Sequence, residues 1–74
     1  MPSSDASSTS SASDAATLAS AASMIEDLTA RVVAVAERYV DSEREIVSHQ
    51  LHEVERALRM AGRQLDGAVR ALGR

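Results

Sequence analysis

Residues 47–72 read VSHQLHEVERALRMAGRQLDGAVRAL, and leucine recurs in them every seven residues, at Leu51, Leu58, Leu65 and Leu72. An apolar residue stands four places before each leucine: Val47, Val54, Ala61 and Ala68. Alternating spacings of four and three place apolar residues on one side of an α-helix, as in helices that pack against other helices. The stretch therefore predicts an amphipathic helix with one continuous apolar stripe.

A second series with the same spacing comes earlier in the chain: Leu18, Ala21, Ile25, Leu28, Val32, Val35 and Tyr39. Val33, Ala36 and Val40 stand beside this series and widen its apolar stripe. A broad stripe is typical of a helix that contacts more than one neighbour. This first helix is therefore expected to belong to a bundle rather than to a simple two-helix zipper.

The break between the two helices is predicted within residues 40–45, which read VDSERE. The apolar spacing lengthens to eight residues between Tyr39 and Val47, so the stripe changes phase here. Ser42 and Glu45 match the S-x-x-E capping box that starts many helices. Both features favour a tight turn. Because no glycine or proline stands in this region, one continuous helix that absorbs the change of phase is the alternative.

These signals divide the chain into a tail and a helical hairpin. Helix one is expected at about residues 14–40 and helix two at about residues 42–72, within a hairpin unit of residues 14–74. Residues 1–13 are mostly serine, too poor in large apolar groups to offset the entropy of ordering, and are predicted to be disordered. This tail could be a phosphorylation or docking segment, or a solubilising extension.

The composition favours self-association. A chain of 74 residues buries only a small core, and natural chains of this size commonly add disulfides, metals or oligomerisation. The sequence has no cysteine and a single aromatic residue, Tyr39, which leaves oligomerisation as the available means. The expected fold is all-α, a helical hairpin that dimerises into an antiparallel four-helix bundle.

Charge is segregated along the second half of the chain. Residues 41–55 carry five acidic residues and one arginine, whereas residues 56–74 carry five arginines and only Asp66. An antiparallel copy would bring the acidic half of one chain beside the basic half of the other. Compensation of the helix dipole predicts the same distribution, so the pattern favours antiparallel pairing without requiring it.

Two sets of residues are candidates for binding. The oligomer seam is predicted at Leu18, Ile25, Leu28, Val32, Val35, Tyr39, Val47, Leu51, Val54, Leu58, Ala61, Leu65, Ala68 and Leu72. Possible partner-binding residues form an arginine ridge on the side away from this seam: Arg56, Arg59, Arg63 and Arg70. Guanidinium groups at these positions can bind phosphate, an acidic protein or an anionic membrane surface. A solvated helix face is the plainer interpretation.

Other function classes find little support in the sequence. We expect no enzyme and no cofactor, because no catalytic triad, acid–base pair or phosphate-binding loop can be assembled. His49 and His52 could bind a metal only from outward positions, so no metal site is expected. A net charge of −3 argues against nucleic-acid binding. Charges interrupt every long apolar stretch, so no membrane span is expected and a cytoplasmic location is the default.

The function predicted from these features is non-enzymatic. The chain is expected to be a self-associating helical protein that acts as an adaptor, scaffold or regulatory subunit, with a second copy and another protein as partners. Two alternatives remain. In one, the chain lies on a membrane surface through an amphipathic face. In the other, it is one half of a heteromeric complex, such as a docking or antitoxin-like subunit.

Overall fold

A computed structural model describes residues 3–73, with side chains from Ser10 onward. Two helices, α1 (Ser3–Arg38) and α2 (Glu45–Leu72), pack along each other in an elongated hairpin of 64 × 15 × 14 Å. The helical hairpin predicted from the sequence is confirmed, and the alternative of one continuous helix is excluded.

The turn uses the predicted residues in a different way. α2 begins at Glu45 rather than at residue 42. The hydroxyl of Ser42 donates to the carbonyl oxygen of Tyr39 at 2.7 Å and accepts from the backbone N–H of Arg44 at 3.1 Å. The carboxylate of Glu45 accepts from the backbone N–H of Asp41 at 3.3 Å. The serine and glutamate therefore stabilise the turn itself, which delays the start of the helix.

Asp41 supplies the reversal of chain direction. Its φ of 60° lies in the left-handed region, which aspartate tolerates better than most residues because its short polar side chain can bond locally. A chain without glycine in this segment can therefore still form a tight turn. This explains why the absence of glycine and proline did not indicate a continuous helix.

The start of α1 also differs from the sequence-based boundary, because α1 begins at Ser3 instead of Asp14. Ile25 lies level with Gly62, and counting along the antiparallel helices places Leu72, the end of α2, level with Ala15. The serine-rich segment before Ala15 therefore continues α1 past the end of α2. The disorder predicted for residues 1–13 stays a prediction.

The two helices meet along small side chains. Ala36 is fully buried, Ser48 is 1% exposed and Thr29 is 6% exposed, whereas the large apolar side chains are at most half-buried among the residues whose side chains are described. The hydroxyl of Thr29 donates to the carbonyl oxygen of Ile25 at 2.7 Å, so its burial leaves no donor unpaired. The hairpin thus has a thin interior and keeps much of its apolar surface accessible.

Gly62 offers a test of how closely the helices approach. A methyl group added there would lie 3.7 Å from Cγ2 of Ile25, an ordinary van der Waals contact, and one added at Gly67 would meet nothing within 4 Å. The helix approach therefore does not depend on glycine at position 62.

Gly62→Ala and Gly67→Ala are both expected to stabilise the protein, by about 0.5–1 kcal/mol each, because glycine weakens a helix interior. The second variant is the matched control for helix propensity alone. Denaturant unfolding followed by circular dichroism measures both. Destabilisation by Gly62→Ala but not by Gly67→Ala would show that the space between Gly62 and Ile25 is too small for a methyl group.

Candidate functional site

The predicted seam residues divide into rows with different surroundings. A central row on each helix faces the neighbouring helix at an angle, and all of its members are half-buried. These rows are Leu18, Ile25, Val32 and Tyr39 on α1, and Leu51, Leu58, Leu65 and Leu72 on α2. Their side chains are only partly covered because the helices touch along one edge of each row, which leaves the other edge of the row for a further contact.

The covered edge carries residues that stand three places before a member of the central row. This inner row is buried or half-buried, and it consists of Ala22, Thr29 and Ala36 on α1, and Ser48, Glu55, Gly62 and Val69 on α2. Successive residues turn by about 100° around a helix, so positions three and four before a given residue fall on opposite sides of it. The side opposite the inner row is therefore occupied by the residues four places before.

That opposite side forms an open face, defined by Ala21, Leu28 and Val35 of α1 and by Val47, Val54, Ala61 and Ala68 of α2. Leu28 is 46% exposed and Val54 is 42% exposed. Two antiparallel helices are related by an approximate two-fold axis perpendicular to the hairpin plane, so equivalent rows of the two helices lie on the same side. The open face is therefore one continuous apolar surface contributed by both helices.

The borders of the open face differ between the helices. On α2 the next row outward carries no charge and reads Gln50, Ala57, Gln64 and Ala71. On α1 the equivalent row contains larger side chains, Met24, Arg31 and Arg38, all of them exposed. One border is thus neutral and alternates glutamine with alanine, and the other carries two arginines.

A groove with charged rims and a partly apolar floor runs along the other side of the hairpin, which we call the polar side because the charged residues of α2 lie there. It has a volume of about 460 Å³, and Ala22, Thr29 and Gly62 of the inner rows form part of its wall. Glu26, Arg59, Arg63 and Asp66 supply its charged groups. Ile25 and Leu58 of the central rows also line it, whereas no residue of the open face does.

The arginine ridge lies on this polar side of α2. Nη2 of Arg59 is 2.8 Å from Oε2 of Glu55, and Nη1 of Arg56 is 3.4 Å from Oε2 of Glu53. Arg63 borders the groove, and the ridge continues to Arg70, which is exposed in the last turn of α2. The four guanidinium groups therefore follow one exposed line, with two of them held by carboxylates of their own helix.

The histidines do not converge on a metal-binding arrangement. His49 is exposed and His52 is half-buried beside Arg56 in the part of α2 next to the groove. Within residues 3–73, no group of three or more histidine, cysteine, aspartate or glutamate side chains is placed to hold a metal ion. Over the same residues, neither helix is long and apolar enough to cross a membrane.

Comparison with protein-family models, with curated proteins and with solved structures finds no match for this chain. What the chain does must therefore be inferred from its own surfaces.

Sequence reasoning did not identify the inner row. Its members include serine, threonine, glutamate and glycine, which do not stand out in a search for apolar periodicity. The sequence did contain a signal for this row: the small residues Ala22, Thr29 and Ala36 recur every seven residues, each three places before a member of the central row. Small residues at such positions allow two helices to approach closely, and the apolar stripe then turns partly away from the contact.

Proposed function

We propose that the protein is a non-enzymatic, self-associating helical module whose open face binds the same face of a second copy, giving a four-helix bundle. The observation that carries this proposal is the exposure of Leu28 and Val54 on a continuous apolar surface, in a hairpin where Ala36 is the one buried apolar side chain among those described from Ser10 to Gly73. Apolar surface of this kind marks an interaction site more often than a solvated face.

The energetics of a chain this small support the same proposal. Burying a leucine or valine side chain contributes about 1.5–3 kcal/mol, and the hairpin alone leaves its central rows only half-covered. Two hairpins stacked through their open faces cover the exposed edges of four central rows at once. Association then supplies the core that the single chain lacks.

The arginine ridge is left free in such an assembly, because it lies on the polar side of α2. We assign to it the second part of the proposed role, contact with an acidic surface of another protein. Arginine suits this task because its planar group can form two parallel hydrogen bonds to a carboxylate. The assembly would act as an adaptor or scaffold that displays this ridge.

Reversing two charges tests the ridge. The double variant Arg56→Glu/Arg63→Glu is expected to keep the assembled mass of the wild type, with a change in unfolding free energy of less than about 1 kcal/mol, because exposed ion pairs contribute little. Proteins that co-purify with the wild type should be lost. Arg56→Lys/Arg63→Lys is the control that keeps the charge. Unchanged co-purifying proteins in the glutamate variant would show that the ridge is only solvated.

A second candidate function has one observation in its favour. The open face of α2 and its border carry no charge from Val47 to Ala71, whereas the arginines lie opposite, where Glu53 pairs with Arg56, as in helices that lie in a membrane interface. In this role the open face would contact lipid instead of a second copy. Co-sedimentation with anionic vesicles by a protein that is monomeric without them would favour this candidate.

A further inference from the structure

We infer that α2 binds an acidic helix of a different protein, which lies along one row of α2 and places a carboxylate opposite each arginine of that row. This contact row consists of Arg56, Met60, Arg63, Gly67 and Arg70. The inference rests on the acidic contact proposed for the arginine ridge and specifies the shape of the partner. Because the arginines lie on the polar side of α2, a second copy bound to the open face leaves them accessible.

The contact row forms a straight line on the outside of α2. Its members are separated by four, three, four and three residues, a spacing that keeps side chains on one side of a helix. The side chain of Arg56 is 72% exposed and Met60 is 52% exposed. A Cβ atom added at Gly67 would meet nothing within 4 Å. The row therefore alternates basic groups with an apolar side chain and a gap, against which another helix can pack.

The four arginines of the ridge differ in how strongly the hairpin itself holds them. Nε and Nη2 of Arg59 lie 2.9 and 2.8 Å from Oε2 of Glu55, whose side chain is only 22% exposed. Arg56 has one contact, at 3.4 Å, with a glutamate nearly as exposed as itself, and such pairs contribute little. Among residues 10–73, neither Arg63 nor Arg70 lies within 4 Å of a carboxylate. Arg59 thus neutralises a half-buried group, and the other three arginines are available to a partner.

The spacing of these three arginines indicates a helical partner. Arg56, Arg63 and Arg70 follow one another at intervals of seven residues, which is about 10.5 Å along the helix axis. Side chains on one face of a β-strand repeat about every 6.7 Å instead. Residues seven apart on a second helix repeat at the same ~10.5 Å as the arginines. An acidic helix alongside α2 can therefore offer each guanidinium a carboxylate, to which it can form two parallel hydrogen bonds.

A second copy of this chain does not have the acidic pattern that the contact row requires. Aspartate and glutamate stand at 11 positions of the sequence, and no two of them are seven residues apart. Neither α1 nor α2 of another copy can therefore place carboxylates at the repeat of the arginines. The partner of this row is a different protein, with an acidic residue at every seventh position of a helix.

Peptide binding tests this inference on the full chain. Two alanine-based helical peptides with the same composition, including three glutamates, are titrated at low salt into isotope-labelled protein and followed by NMR. One peptide has glutamate at every seventh position, and the other at every fifth, which turns successive glutamates about 140° around the helix. We expect the first peptide to bind about tenfold more tightly, because it can align three ion pairs instead of one. It should shift the signals of the contact row.

Charge-removing variants identify the residues that discriminate between the peptides. Arg63→Gln/Arg70→Gln is expected to abolish the difference in affinity. The matched control, Arg31→Gln/Arg38→Gln, removes two exposed arginines from α1 and should retain the difference. Arg59→Gln should also retain it, because Arg59 lies outside the contact row.

The outcomes separate the inference from the proposed function. Equal affinity for the two peptides, or a difference that persists in Arg63→Gln/Arg70→Gln, overturns the helical partner but leaves contact with an acidic surface standing. Signals that shift along the open face instead of the contact row also overturn it. Binding of neither peptide overturns the inference and the acidic contact of the ridge together. Self-association is measured separately, by the mass of the protein without peptide.

Discussion

Leu58→Glu is expected to give a weakly helical monomer. Leu58 lies in the middle of the central row of α2 and is half-buried level with Thr29, so the carboxylate would be placed between the helices and under the second copy. Burying an unpaired charge costs about 3 kcal/mol or more. That cost is comparable to the total of about 3–5 kcal/mol that a core of this size supplies. Circular dichroism measures the expected loss of helicity, and light scattering measures the expected loss of the dimer.

Met60→Glu is the matched control for this variant, since Met60 is 52% exposed on the side of α2 that points away from α1. It introduces the same charge two residues away and is expected to keep the helicity and mass of the wild type. If Leu58→Glu left both properties unchanged, the central row would not be where the helices are held together.

Leu28→Glu is expected to separate association from hairpin formation. Leu28 is 46% exposed in the single hairpin, so a glutamate there can remain in water as long as no second copy covers it. In the proposed dimer it would be buried twice, once in each chain. At about 1.5 kcal/mol for each unpaired polar group, the dissociation constant should rise by about a hundredfold or more.

Sedimentation velocity over a dilution series measures this shift for Leu28→Glu beside Ala34→Glu. Ala34 is exposed on the side of α1 away from α2, and its variant should associate as the wild type does. Equal dissociation constants for the two variants would exclude the open face as the interface.

The hairpin was predictable because heptad leucines and a change of phase are strong, local signals. The orientation of the apolar stripe was not, for a physical reason. A 4–3 pattern locates the centre of the stripe, whereas the helices pack where their backbones can approach most closely. Small residues such as Ala36 and Ser48 decide that, so the helices meet on one edge of the stripe and leave Leu28 and Val54 on the other.

The charge pattern is a second feature whose spatial arrangement could not be predicted from the sequence. The segregation of acidic and basic residues along the sequence suggested that α2 pairs with an antiparallel α2. In three dimensions nearly all of these charges lie on the polar side of α2, where Glu55 pairs with Arg59 and Glu53 with Arg56. The linear charge distribution therefore says little about the open face.

The turn was predicted at the right place by residues whose roles differ from those expected. Ser42 and Glu45 form hydrogen bonds within the turn rather than a cap on α2. The S-x-x-E motif is the same whether these two residues cap a helix or stabilise a turn. The sequence does not reveal the positive φ of Asp41, after which α2 starts at Glu45, three residues later than predicted.

The first measurement to make is the molar mass of the full chain by sedimentation equilibrium at low and at high salt. Because the interface is apolar with charges only at its borders, we expect twice the chain mass of 7.8 kDa under both conditions. A chain that stays at 7.8 kDa and is weakly helical would contradict self-association, and would indicate that the open face binds a different partner.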